Sequence, residues 1–138
     1  MATVKQATIK NTRQLRETDK ATGTVTTLGE ILAMTAGLAV AADSGTVVAD
    51  LLGVCNQTIA VADALTRVTY IVPTDEDTFI FTTTNSSDAT HNGQAMVLGA
   101  NSTTVNNTGT TSATGIVQQV EPYGDATDNL IIGRFLTL

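Results

Sequence analysis

The chain has 138 residues, enough for one domain and too few for two comfortable ones. Only 14% of it is charged, about a fifth is Thr, and a 42% apolar share with a net charge of −6 argues against a disordered chain. A single cysteine rules out an intrachain disulfide, and no apolar run approaches the ~20 residues that span a bilayer.

The first twenty residues hold Lys5, Lys10, Arg13, Arg16 and Lys20 against Glu17 and Asp19, a local charge of +3, while the rest carries −9. This divides the chain into a basic extended arm (1–20) and an acidic body (21–138). With only Val4, Ile9 and Leu15 as sizeable apolar side chains, the arm cannot fold by itself. Two arrangements fit it: an extended segment that is partly an edge strand, or an arm ordered by lying on a neighbouring subunit or protein. The acidic body would repel phosphate, and no aromatic stands among the basic residues to stack on bases, so no nucleic-acid partner is expected. No charged-then-apolar leader opens the sequence, so a soluble protein made in a cytosol and free of membranes is expected.

From Gly23 onward, short apolar runs alternate with turn clusters. Thr24–Leu28 and Glu30–Thr35 are candidate strands split by Gly29. The stretch Leu28–Ala42 suits either a helix with Ile31, Leu32, Thr35 and Leu38 on one face or two short strands meeting at a turn; Gly29, Gly37 and the flanking Thr residues favour the strands. Ala42-Asp43-Ser44-Gly45 signals a turn, Val47–Leu52 has room for one helical turn, and Leu51–Asn56 reads as a buried strand that includes Cys55. Arg67–Val72 alternates with Val68, Tyr70 and Val72 on one face, and Pro73 ends it. Asp75-Glu76-Asp77 then forms a loop, and Phe79–Thr83 is expected to pair back on Arg67–Val72 as a hairpin. Asn92-Gly93 marks a tight turn before a strand over Gln94–Leu98. Gly99–Ser112, nearly all Asn, Thr, Ser and Gly, reads as an exposed loop or loose hairpin. Strands over Thr114–Pro122 and Leu130–Thr137 close the chain.

The pattern predicts a mainly β fold, a small β-barrel or sandwich of about seven to nine short strands with an extended N-terminal arm. Val68, Tyr70, Phe79, Phe81, Met96, Leu98, Ile116, Ile131 and Phe135 are the predicted core. Without Trp, that core is modest, and oligomerisation is expected to supply part of the stability.

The chemistry-bearing residues are sparse. His91, the only histidine, sits in a turn-like setting and reads as solvent-exposed rather than as a catalytic base. One Cys and one His make no zinc set, and Asp75-Glu76-Asp77 lacks the alternation and glycine of a calcium loop, so it reads as an acidic loop tip. The glycines are scattered away from the basic residues, which argues against a phosphate cradle. No catalytic residue, metal or cofactor is expected, and an enzyme is not.

Three stretches carry a likeness to a known family. They are Thr27-Leu28-Gly29-Glu30-Ile31-Leu32-Ala33-Met34 with Gly37-Leu38-Ala39-Val40 and Ala41-Ala42-Asp43; Leu51-Leu52-Gly53-Val54-Cys55; and Gly115–Pro122 followed by Leu130-Ile131-Ile132-Gly133-Arg134-Phe135. Over about two thirds of its length the chain resembles the head decoration (cement) proteins of tailed bacteriophages. The resemblance implies a non-enzymatic β-barrel protein of the virion, made in the host cytoplasm and bound to the outer surface of the capsid. There it would bridge neighbouring subunits of the major capsid protein, commonly as a homotrimer. On that reading the arm residues Val4, Lys5, Ile9, Lys10, Arg13, Arg16 and Lys20 contact the capsid or an adjacent subunit, and Gly99–Ser112 faces solvent. The alternatives are another virion structural protein (head fibre base, tail-tube or minor coat protein) or a carbohydrate-binding β-sandwich, for which aromatic platforms are few.

Overall fold

The computed structural model describes residues 5–8, 14–21, 26–59, 67–74, 76–99, 101–108 and 114–136. Among these the fold is mainly β, in two sheets, with three single-turn 3-10 segments at Val48–Asp50, Ala89–His91 and Ala126–Asp128. The strands in chain order are β1 (Lys5–Thr8), β2 (Gln14–Asp19), β3 (Ile31–Thr35), β4 (Leu38–Ala41), β5 (Leu51–Cys55) and β6 (Arg67–Val72). They continue with β7 (Thr78–Thr83), β8 (Ala95–Met96), β9 (Thr104–Val105), β10 (Val117–Pro122) and β11 (Leu130–Phe135).

The six-stranded sheet runs β1-β7-β11-β10-β8, and β9 joins the end of β7 in parallel. The five-stranded sheet runs β2-β6-β5-β3-β4. This second sheet curls on itself: just past β2, Lys20 bridges Ala39 of β4, and the amide of Ala21 donates to the Ala39 carbonyl at 3.0 Å. Among the described residues no long helix covers the sheets, so the sheets cover each other.

Two hydrophobic clusters result. The larger one lies between the sheets, with Ile31, Ala33, Val54 and Ile71 from the curled sheet against Phe79, Phe81, Met96, Val117, Ile131 and Phe135. Its centre is a trio of rings: Phe135 meets Phe79 and Phe81 edge-on, both at 5.4 Å between centroids. The smaller cluster fills the inside of the curl with Leu32, Ala39, Cys55, Ile59, Val68 and Tyr70. Strands of the curled sheet are therefore buried on both faces, which is why Ile31-Leu32-Ala33 and Gly53-Val54-Cys55 read as unbroken apolar runs. All nine predicted core residues are at most 6% exposed.

The stretch 28–42 forms strands, as the glycines indicated: β3 and β4 make a hairpin whose two-residue turn, Ala36-Gly37, holds both residues at positive φ (52° and 81°). Gly53 serves a different purpose. A Cβ there would lie 2.0 Å from the Ile71 carbonyl oxygen, so only glycine lets β5 pack this closely on β6. Of the expected strand Thr24–Leu28, Thr26 makes an isolated bridge to Ile59 and Leu28 sits in a turn, while 22–25 lie outside the described residues.

Two expectations need correction. Arg67–Val72 and Phe79–Thr83 do not pair as a hairpin. β6 pairs with β2 and β5, whereas β7 pairs with β1, β9 and β11 in the other sheet. A turn in which the Asp77 carboxylate accepts from the Thr74 amide at 3.0 Å carries the chain from one sheet to the other. Nor is the Thr/Asn-rich stretch simply exposed. Over 101–108, Ser102, Val105 and Asn107 are at most 6% exposed, because β9 closes on β7 and Leu98. The part from 109 to 113 lies outside the described residues.

Candidate interaction surfaces

The described parts of the 1–20 segment are woven into the body. β1 pairs with the start of β7, and β2 runs antiparallel to β6 over six register pairs, Gln14↔Val72 to Asp19↔Arg67. Of the two arrangements open to it, these parts adopt the edge strand. β2 stands at the end of its sheet's strand order; its second edge meets β4 where the curl closes at Lys20, and toward Gln14 no strand among the described residues pairs with it. Leu15 stands 53% exposed on it, beside the exposed Arg16. Arg67 of β6 reaches across to Glu17 at 2.8 Å and Asp19 at 3.7 Å, tying down both acidic residues of the segment. Lys20 is only 5% exposed where the curl closes. Lys5 is placed by its backbone on the edge of the other sheet, so the structure does not gather Lys5, Arg16 and Lys20 on one surface. Val4, Ile9, Lys10 and Arg13 lie outside the described residues.

A second surface, which sequence reasoning missed, is the outer face of the six-stranded sheet. Inward residues Phe79, Phe81, Ile131, Gly133 and Phe135 leave Thr78, Ile80, Leu130, Ile132 and Arg134 pointing out, all half-buried or exposed. A register shift between Gln119 and Glu121 in β10 adds Val120, 43% exposed. Arg134 is held in place: its Nε donates to Gln118 Oε1 at 2.8 Å, and Gln118 Nε2 donates to the Gly93 carbonyl at 3.0 Å. The outer ends of the guanidinium stay open on an open groove of about 450 Å³ that Glu76, Thr78 and Val120 also line. The signal was present as the alternation of 130, 132 and 134, but a sequence does not say which face of a sheet is left uncovered.

The titratable groups are ordinary in placement. Cys55 is buried inside the curl, burial pushes its thiol up from the usual range, and its Sγ donates to the Gln57 carbonyl at 2.8 Å. Such a thiol is held protonated and away from reagents. His91 is half-buried at the end of the Ala89–His91 turn, with Nδ1 shielded from solvent, rather than exposed as expected. Asp88 caps that turn. The Thr90 amide donates to its carboxylate at 2.9 Å and holds the group below the ordinary aspartate range, with Thr90's hydroxyl and His91 assisting. Asp125 and Asp128 close another turn, the Asp125 amide donating to Asp128 Oδ2 at 2.9 Å. No group of three or more His, Cys, Asp or Glu residues is placed to hold a metal among the described residues, and Asp75 lies outside them.

Two of the buried polar residues tie loops to strands. Asn107 accepts from the Asn85 amide at 2.9 Å and donates to the Asn85 and Ser86 carbonyls, both at 3.0 Å. Gln119, 1% exposed, donates to the Asp88 carbonyl at 2.8 Å and to Asn92 Oδ1 at 2.9 Å. Together they fasten the loop between β7 and β8 to β9 and β10. No protein-family model and no curated protein matches the sequence.

Proposed function

We propose that the chain is a non-enzymatic decoration (cement) protein. It binds the outer surface of a tailed-phage head and bridges neighbouring major capsid subunits. The observation that supports this reading most is the stretch of the β2 edge ahead of its closure on β4, which no strand among the described residues pairs and where Leu15 is held in solvent beside Arg16. β2 carries exposed charges at Arg16, Glu17 and Asp19, as edge strands normally do, and among them the exposed Leu15 suits contact with a partner's extended segment. The sequence likeness to head decoration proteins points the same way, and the arrangement keeps binding on the basic N-terminal segment.

Deleting residues 2–20 is not a clean test, because it would strip β1 and β2 from the sheets. The better probe is the pair Leu15→Asp and Arg16→Glu, which leaves the backbone ladder to β6 in place. Wild-type protein mixed with DNA-filled heads lacking it should sediment with them to saturation. The double variant, folded by circular dichroism, should bind at least about tenfold more weakly. Equal binding by the variant would refute the β2 edge as the contact, and absence of wild-type binding would refute the decoration reading.

A further inference from the structure

On the outer face of the six-stranded sheet, Ile80 of β7 lies in register with Ile132 of β11. Turned by half a revolution about an axis that follows the strands between β7 and β11, the face brings Ile80 over Ile132 of a second copy. The same rotation brings Arg134 over Thr78 of the second copy, beside that copy's Glu76. Arg134 and Glu76 line one groove, yet the ion pairs among the described residues belong to Arg67, so Arg134 and Glu76 are not paired with each other.

We propose that this face binds a second copy of the chain, forming a two-fold dimer by face-to-face packing of the six-stranded sheets. Aligned β-sheets pack this way about 10 Å apart, with apolar side chains interdigitating in the middle. An isologous contact demands that each surface complement itself, and Arg134 and Glu76, on either side of the Ile80 and Ile132 centre, meet that demand. A net charge of −6 sets two copies against each other at long range, so matched pairs at the margin are what makes a specific contact favourable. The inference goes beyond the decoration reading and does not rest on it. Its symmetry is two-fold, where the sequence likeness implies three.

The test is sedimentation of the full chain over a wide concentration range. Wild type should reach twice the 14.3 kDa chain mass. Ile132→Asp, which places a charge at the centre of the contact, should weaken dimerisation by about thirtyfold or more. Arg134→Glu and Glu76→Arg should each weaken it about three- to tenfold, and the variant carrying both should return to within about threefold of wild type, because the exchanged charges meet again across the axis. All four are surface changes whose folding is checked by circular dichroism. A wild-type monomer, a trimer, or additive loss in the doubly exchanged variant would overturn the proposal. So would a wild-type monomer whose Ile132→Asp form loses binding to heads, since the face would then serve another protein.

Discussion

Replacing glycine by alanine at three positions asks how closely the strands of the curled sheet approach. At Gly53 the added Cβ would stand 2.0 Å from the Ile71 carbonyl oxygen and 3.2 Å from Pro73 Cδ. A relaxed carbon-to-oxygen contact is about 3.3 Å, so β5 and β6 must part by roughly 1 Å where Val54 meets Ile71 and Cys55 meets Tyr70. That loosens two register pairs and opens both clusters at their shared wall, which overpacking data and ladder hydrogen bonds put at about 3–5 kcal/mol. At Gly37 nothing lies within 4 Å of the new Cβ, and only the positive φ of 81° opposes it, at about 1 kcal/mol. At Gly45 the nearest atom is Asp43 Oδ1 at 3.3 Å, and the change should fall within about 0.5 kcal/mol of neutral. Urea unfolding followed by far-ultraviolet circular dichroism gives the three values side by side. The reasoning fails if Gly53→Ala costs less than Gly37→Ala.

Other consequences follow from the packing and the caps. Phe81→Ala removes a fully buried ring that touches Phe135 edge-on, and should cost about 3–5 kcal/mol in the same assay. Asp88 has its folded pKa depressed by Thr90, so its contribution is present above the unfolded value, about 4, and is lost as pH falls through the folded one. Unfolding midpoints of Asp88→Asn measured from pH 5 downward should therefore fall less steeply than those of wild type, and parallel curves would contradict the cap. Cys55, 1% exposed, should resist Ellman's reagent in the native protein and react at the rate of unfolding when urea is added; prompt native labelling would contradict its placement.

Strand positions were legible because half-buried strands announce themselves by alternation, as at Val68/Tyr70 and Phe79/Phe81. The hairpin turn at Ala36-Gly37 was legible because few residues besides glycine take its conformation. What was hidden is partnership. Arg67–Val72 and Phe79–Thr83 are separated by a short polar link that serves equally well as a hairpin loop or as a passage between sheets, and the choice depends on where β2 and β11 come to lie. The curl was hidden for a related reason. Leu32 and Cys55 face one cluster while Ile31 and Val54 face the other, so the sequence reads as a featureless apolar run. Polar composition misled over 101–108, where backbone partners at each end of the Asn107 amide offset the penalty of burying it. Of the arm residues, Arg16 stands exposed, whereas Lys20 is buried where the curl closes and its backbone bridges Ala39.

The two proposed surfaces lie on different sheets. On these proposals the strand edge at β2 would supply attachment and the face of the opposite sheet a second copy, so that one dimer would present two attachment edges. The most direct test is the mechanical resistance of heads: DNA-filled heads lacking the protein are heated or osmotically shocked with and without it, and DNA release is followed. The account predicts release at a higher temperature once the protein is bound to saturation, and no gain for the Leu15→Asp, Arg16→Glu variant. Saturable binding that leaves the release temperature unchanged would contradict the bracing claim.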